Sequence, residues 1–313
     1  MRIAIASGKG GTGKTTVATN LALAAARRGV RVAYFDCDVE EPNGQLFLKP
    51  RITSSRAATH LYPRVEESQC THCGQCGAIC QFSAIVCIGE KVLVYPELCH
   101  ACGGCALVCP SGAITEVERP IGVVETGVAE AGADKTGSAQ AGADQTGAAA
   151  TLRFAQGTLR IGEAMSTPLI HQLKENIGAE DLAILDCPPG ASCPVIESVR
   201  GADLVLLVTE PTPFGLNDLR LAVETLEAVG LPMAAVINRD GADSGRTRAF
   251  CQSKEIPVWT CIADDRRVAE AYSRGQLALD AVPAFRQAIE QILDRLLTDG
   301  IEAFRPESGA ARR

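Results

Sequence analysis

The sequence predicts an α/β fold in which a mostly parallel sheet is built around a phosphate-binding loop and is interrupted once by a small α+β insertion. Three observations predict it. Residues 8–15 read Gly-Lys-Gly-Gly-Thr-Gly-Lys-Thr, between an apolar run at 2–6 and an Ala/Leu-rich run at 15–28 that stops at Gly29. Apolar runs of strand length alternate with helical periodicity again after residue 150. Between these two stretches, nine cysteines fall within residues 70–109, eight of them in two identically spaced quartets. Strand, glycine loop, helix and second strand open a parallel α/β domain, whereas the cysteine segment has little helical period.

Taken in order, 2–6 (Arg-Ile-Ala-Ile-Ala) reads as a buried strand, 15–28 as a helix and 30–35 as a second strand. Residues 65–118 are the cysteine module. Residues 126–150 consist mostly of Ala, Gly, Asp, Gln and Thr and contain a near-repeat at 131–137 and 141–147. That composition cannot bury a core and reads as a flexible surface loop. Residues 151–154 and 158–161 read as a small hairpin, 166–176 as a helix, and 182–185 as a strand ending at Asp186. Strands at 204–208, 233–237 and 257–260 alternate with helices near 216–229, 245–254, 265–274 and 284–297, and 304–313 is a polar tail. The expected organisation is one α/β domain, 1–64 and 119–313, split by the module at 65–118.

Composition narrows the function. The 313 residues are 46% hydrophobic, enough for a sizeable core. Aromatics make up 4% and the net charge is −7; base-stacking surfaces and a broad basic face are not expected, and neither is a nucleic-acid partner. No apolar run approaches membrane-spanning length, and Met1 leads directly into 2–6 with no secretory core, so a cytoplasmic setting is expected. In a reducing compartment, the C-x2-C pairs among the 14 cysteines read as metal or cluster ligands rather than disulfides.

The run at 8–15 satisfies G-x4-G-K-[ST]. Gly10, Gly11, Thr12 and Gly13 would curl backbone N–H groups around a phosphate, with Lys14 neutralising the β- and γ-phosphates. The Thr15 hydroxyl would ligate Mg²⁺, and Thr16 continues the helix whose positive N-terminus faces the anion. Two aspartate segments follow apolar strands, Asp36-Cys37-Asp38 and Leu185-Asp186-Cys187-Pro188-Pro189-Gly190. Strand ends of a parallel sheet share the edge where such folds bind ligands. Asp186 is expected to hold Mg²⁺, and Asp38 to orient or activate the attacking water.

On these residues the chain resembles the MinD/ParA/Mrp group of ATPases, which includes the nitrogenase iron protein. Lys9-Gly10-Gly11-Thr12-Gly13-Lys14-Thr15 looks like the group's deviant phosphate loop. The resemblance implies ATP hydrolysis within a nucleotide-sandwich homodimer, with Lys9 reaching the partner subunit's phosphates. Asp36-x-Asp38 looks like the group's first switch, and Asp186 with Pro188-Pro189-Gly190 like its second. Asn238-Arg239 resembles the adenine-reading position. Cys193 lies seven residues past Asp186; a cysteine at a similar step in the iron protein holds a shared cluster, so Cys193 and Cys187 are candidates to touch a cluster or redox partner near the subunit interface. The specific resemblance is to members of the group with an inserted ferredoxin domain.

The module carries Cys70-x2-Cys73-x2-Cys76-x3-Cys80 and Cys99-x2-Cys102-x2-Cys105-x3-Cys109-Pro110. This is the bacterial ferredoxin run for 4Fe–4S clusters, twice over, and in two-cluster ferredoxins the fourth cysteine serves the other cluster. Cluster one is therefore assigned to Cys70, Cys73, Cys76 and Cys109, and cluster two to Cys99, Cys102, Cys105 and Cys80. Gln81 stands where the second run has Pro110. Two zinc sites are the alternative, though zinc ribbons usually pair C-x2-C knuckles. Cys37, Cys87, Cys251 and Cys261 read as small buried apolar residues.

Three functions are compatible: an ATPase passing electrons through its clusters to a redox partner, an iron–sulfur carrier or assembly factor acting on a client protein, and a spatial-organising ATPase with a redox sensor. The last calls for an amphipathic membrane-binding tail or a DNA-binding patch.

Overall fold

The computed structural model describes residues 1–132, 151–241 and 244–298. The chain forms, in order, β1 (Arg2–Ala6), α1 (Lys14–Arg27), β2 (Val32–Asp36), α2 (Gly44–Leu48), β3 (Arg51–Val65), α3 (Gln75–Ile79), β4 (Ile85–Ile88), β5 (Lys91–Val94), α4 (Gly104–Leu107), β6 (Ile114–Glu130) and β7 (Thr151–Leu159). There follow α5 (Thr167–Lys174), β8 (Leu182–Asp186), α6 (Cys193–Val199), β9 (Leu204–Thr209), α7 (Pro213–Val229), β10 (Met233–Asp240), α8 (Gly245–Ser253), β11 (Val258–Ala263), α9 (Arg266–Ser273), α10 (Ala278–Ala281) and α11 (Pro283–Thr298).

Among the described residues, nine strands join in the order β11-β10-β9-β1-β8-β2-β7-β6-β3. From β11 to β7 every pairing is parallel; β6 and β3 add an antiparallel edge. The period of two in β1 shows how the sheet is covered. Ile3 and Ile5 point into an apolar layer with Val17 and Leu21 of α1 and Phe285, Ile289 and Ile292 of α11. Ala4 and Ala6 point the other way, against Leu169 and Leu173 of α5, Val199 of α6 and Val223 of α7. Each fully buried Ile or Leu contributes about 1.5–3 kcal/mol. α1 is Ala-rich, packs close to the sheet, and is followed by Gly29 at φ +79°, a glycine stop.

Residues 151–161 do not form the expected hairpin. Residues 151–159 are one strand, β7, parallel to β2 and antiparallel to β6. Gly157, which suggests a turn, is there for close approach, because a Cβ on it would lie 2.6 Å from Val39 Cγ1. Residues 126–130 likewise belong to β6 rather than to a loop, and Ala131 is buried in the core. The rest of the low-complexity stretch, 133–150, and the tail at 304–313 lie outside the described residues.

The long β3–β6 ribbon had no counterpart in the sequence reading. Residues 122–130 of β6 pair with β7, and residues 114–120 pair with β3 alone. The ladder runs through both expected domain boundaries and ends at Val65↔Ile114, where the cysteine module begins. The module adds the β4–β5 hairpin and the short helices α3 and α4 around an apolar cluster of Cys76, Ile85 and Ile114. The ribbon's register shifts between Ala58 and Thr59. There, Gln172 of α5 donates to Thr59 O at 2.7 Å and accepts from Thr59 N at 3.2 Å, satisfying the backbone that the bulge displaces.

Gln172→Ala is expected to cost about 1–2 kcal/mol, the scale of a lost pair of such bonds, and to speed amide exchange across 59–65 and 114–120 while leaving α1 protected. Hydrogen exchange read by mass spectrometry checks both.

Candidate functional site

Four parallel strands deliver their C-terminal ends to one edge. β1 leads into the glycine loop, where the Ser7 hydroxyl donates to Lys9 O at 2.6 Å. Gly8 has no room for a side chain, since a Cβ would fall 2.0 Å from Asp218 O in α7. Gly11 and Gly13 adopt φ +78° and +95°, which favour glycine. α1 starts at Lys14 with no side chain capping its first turn, leaving its leading amides to an anion.

Asn238, on β10, reaches the loop from across the sheet. Its Nδ2 donates to Thr12 O at 2.7 Å, and a Cβ on Gly13 would lie 2.4 Å from that nitrogen. One amide proton of the residue expected at adenine is therefore engaged in shaping the phosphate loop. Arg239, at φ +53°, ion-pairs with Glu210 through its guanidinium. Lys9 Nζ lies 3.3 Å from the same carboxylate. The signature lysine is thus held within its own chain. Glu210 was missed in the sequence, although it follows the apolar strand at 204–208 just as Asp186 follows 182–185.

β2 and β8 place Asp36 opposite Asp186, and both are buried. Asp36 accepts from the backbone N–H groups of Gly44 at 2.8 Å, Asn43 at 3.0 Å and Asp38 at 3.3 Å, so it shapes the loop that presents Asp38. Burial, then the charge of Asp186, pushes the Asp36 carboxyl well above the usual range. Asp186 is also raised by burial; the hydroxyls of Thr15 and Tyr34 and the Lys14 ammonium oppose this. Tyr34 OH donates to Asp186 Oδ2 at 2.8 Å, whereas the buried Oδ1 has no hydrogen-bond partner. An unpartnered carboxylate oxygen beside Thr15 and Lys14 fits a hard cation such as Mg²⁺. Asp38 is pushed up to about 6, by burial first and Asp186 second, with Lys14 pulling it down.

The two second-switch cysteines separate. Cys187 is fully buried, its Sγ donates to Leu185 O at 3.7 Å, and burial drives its thiol far up. It therefore cannot meet a partner at an interface, contrary to expectation. Cys193 begins α6 and is exposed. Cys37 and Cys251 are buried as expected, while Cys87 and Cys261 are half-buried.

The eight cysteines of the two runs line two hollows. Cys70, Cys73, Cys76 and Cys109 wall one of about 330 Å³, open mouth included. Cys99, Cys102, Cys105 and Cys80 wall the other, of about 430 Å³. Each hollow therefore takes three cysteines from one run and the last from the other. Among the described residues no three His, Cys, Asp or Glu side chains converge on a single ion-sized point. Cys80 and Cys109 sit in matching backbone pockets. Against the upward push of burial, the amides of Phe82, Ser83, Ala84 and Ile85 pull the Cys80 thiol down. The Ser111 hydroxyl, with the amides of Ser111, Gly112 and Ala113, does so for Cys109. Such nests favour thiolate. Thiolate-favouring donors spaced around a hollow fit a cluster.

A glycine loop at the mouth of a parallel sheet, an unpartnered strand-end carboxylate and a buried lysine define a phosphate-loop nucleotide-binding protein. The chain belongs to the CobQ/CobB/MinD/ParA nucleotide binding domain family, whose model matches residues 3–278. It is 31% identical over 248 residues to the uncharacterized protein MJ0578 of Methanocaldococcus jannaschii, spanning 78% of this chain and 80% of that one. MJ0579 of the same organism is 28% identical over 306 residues, 95% and 98% of the two chains. An iron-sulfur cluster carrier protein of Pseudomonas fragi is 58% identical over 41 residues, 13% of this chain and 14% of that one. That stretch is too short to hold both the glycine loop and a cysteine quartet. The septum site-determining protein MinD of Pyrococcus horikoshii, solved with Mg-ADP, shares the fold: TM-score 0.54, 19% identity, 95% and 97% of the two chains covered. Among the described residues no helix is long and apolar enough to cross a membrane.

Asn238→Ala frees the Thr12 carbonyl and is expected to weaken nucleotide binding about five- to thirtyfold, the equivalent of one or two hydrogen bonds. Titration with a fluorescent ADP analogue measures it.

Proposed function

We propose that this protein is an ATP-hydrolysing iron–sulfur protein that couples nucleotide-driven switching to electron transfer through two 4Fe–4S clusters, acting as a nucleotide-sandwich homodimer on a redox partner. The observation that carries the reading is the pair of hollows, each walled by four cysteines in crossed arrangement. Cys70, Cys73, Cys76 and Cys109 would hold one cluster, and Cys99, Cys102, Cys105 and Cys80 the other; the clusters supply one-electron redox chemistry. Zinc fits less well, because its four ligands must lie about 2.3 Å from one point. The module's small apolar cluster also argues for a staple, since so short a segment buries too little to stand alone.

At the nucleotide site, Lys14 and the loop amides would hold the phosphates, Thr15 and Asp186 the Mg²⁺, and Asp38 would take the proton of the attacking water. Opening of the Lys9–Glu210 pair would free Lys9 for the partner subunit's phosphates. Asn238 keeps a second amide proton and its carbonyl for adenine, with Arg239 beside it.

Contacts link this site to the module. Val39 O accepts from Leu159 N at 2.8 Å and Glu40 from the Ser166 hydroxyl at 3.0 Å, so the loop carrying Asp38 bears on the segment that joins β7 to α5. In that segment Glu163 grips Arg119 of β6 with two bonds of 2.6 and 2.7 Å. Arg119 also donates to Pro96 O at 3.1 Å, three residues before Cys99. A shift of the Asp38 loop is thereby felt beside the second hollow.

A second reading, cluster delivery to a client apo-protein, is favoured by the exposure of Cys73 and Cys102 and by the short match to iron–sulfur carriers. Spatial organisation has less support, because residues 304–313 are a mixed polar stretch and a net charge of −7 offers no broad basic face.

Anaerobic purification should yield about eight irons per chain with matching sulfide and a visible cluster absorption, and ATP should shift the cluster spectrum. Stoichiometric zinc without sulfide would overturn the reading, and iron passing to an apo-acceptor would favour delivery. The rate should also follow Asp38. Below pH 6 its carboxyl is protonated and cannot accept a proton, so kcat/KM, which reports the free protein, rises through about pH 6 and levels above it. Asp38→Asn should lower kcat about a hundredfold and abolish that inflection; a stopped-time phosphate assay across pH 5–8 reads both.

A further inference from the structure

The two cysteine runs are followed by matching steps. From Cys80 the chain reaches Ala84, Ile85 and, seven residues on, Cys87; from Cys109 the same steps reach Ala113, Ile114 and Glu116. The fold obeys the repeat. Ala84 O accepts from Tyr95 N and Ala113 O from Glu66 N, both at 2.7 Å. Left-handed φ recurs at His72 and Gly74 against Ala101 and Gly103, and at Ser83 against Gly112. Ile85 and Ile114 are both buried. Cys87 and Glu116 are therefore counterparts in an internal repeat, and the two hollows differ in chemistry at this place.

Cys87 Sγ lies 3.5 Å from Cys76 Sγ, behind the wall of the first hollow. Gly77 makes the approach possible, because a Cβ there would lie 3.2 Å from both the amide and the sulfur of Cys87. Glu116 lines the second hollow, its carboxylate oxygens 3.6 and 3.9 Å from where a Cβ on Gly103 would stand. The nearby cation, Arg119, is already matched by Glu163, and His100 lies flat on Phe82 with ring centroids 3.5 Å apart.

We propose that Cys87 and Glu116 set the two four-cysteine sites at different reduction potentials, the site of Cys70, Cys73, Cys76 and Cys109 higher than that of Cys99, Cys102, Cys105 and Cys80. This rests on the cluster reading above. A ligating Cys76 is a thiolate and can only accept, so the S–H belongs to Cys87. Reduction adds one negative charge to a site. A donor aimed at the ligand sulfur stabilises that charge, and a carboxylate in the wall opposes it. Cys87 is thus a positioning residue, acting through Cys76. With clusters held at both sites, one electron given to the second by a low-potential donor would pass to the first; one site would be oxidised as the other is reduced, with no change of bond or proton.

The test is an anaerobic redox titration of the full chain with dithionite and mediators, followed by electron paramagnetic resonance, after iron and sulfide assay. Two separate one-electron steps are expected. Cys87→Ala should move the upper step down, with about a tenfold fall in the reduced-to-oxidised ratio at fixed poise, about 59 mV for one electron, and leave the lower step in place. Cys87→Ser, whose hydroxyl still donates, should restore it. Glu116→Gln should raise the lower step alone. Coincident steps in the unmodified protein, or steps unmoved in these variants, overturn the inference. If Cys87→Ala does not load, Glu116→Gln decides, and an unmoved lower step counts against the proposal. An unmodified chain without two clusters would instead overturn the cluster reading itself.

Discussion

Asp36 and Asp186 face each other across the β2–β8 register, both buried, and neither has a cation to itself. Two like charges one strand apart in a low-dielectric interior repel strongly. The surroundings are arranged around that repulsion. Three backbone amides turn toward Asp36, Tyr34 turns its hydroxyl to Asp186, and the Lys14 charge offsets that of Asp186. Gly44 must lack a side chain for this, since a Cβ on it would lie 2.4 Å from the Tyr34 oxygen. The first aspartate thus fixes a loop, and the second keeps one oxygen free for a cation. Asp38 is raised by its own burial first and by the charge of Asp186 second.

What could be read from the chain was what local chemistry requires. Glycines at Gly11 and Gly13 announce a backbone that other residues resist, and apolar runs such as 204–208 announce buried parallel strands. The β3–β6 ribbon escaped because its outer stretch, residues 51–57, is an exposed, polar edge with no apolar face to betray it. Gly157 misled for a related reason: its lack of a side chain answers to Val39, more than a hundred residues away in sequence, and not to a turn. Glu210 was hidden in the same way. Its two cations, Lys9 and Arg239, come from the strands on either side of its own, far apart in the chain, and no spacing in the sequence records their meeting.

The cysteine module shows a third situation. Its cysteine spacing was plain, and Cys70, Cys73, Cys76 and Cys109 wall one hollow while Cys99, Cys102, Cys105 and Cys80 wall the other. What lay beyond the motif was the difference between two halves that look alike. Repeats draw attention to what is shared; here the informative residues, Cys87 and Glu116, are the ones at which the halves part.

The ribbon has a geometric consequence. Beyond the bulge at Thr59 it extends about seven residues past the body, about 24 Å at the rise of an antiparallel strand. A rod of that length magnifies rotation at its base, so a tilt of about 5° at the Gln172 anchorage carries the far end through about 2 Å. Small adjustments near the phosphate loop, too slight to disturb a packed sheet, would appear at the tip as displacements on the scale of an atomic contact. Gln172 and the Glu163–Arg119 pair stand together at the base of that lever.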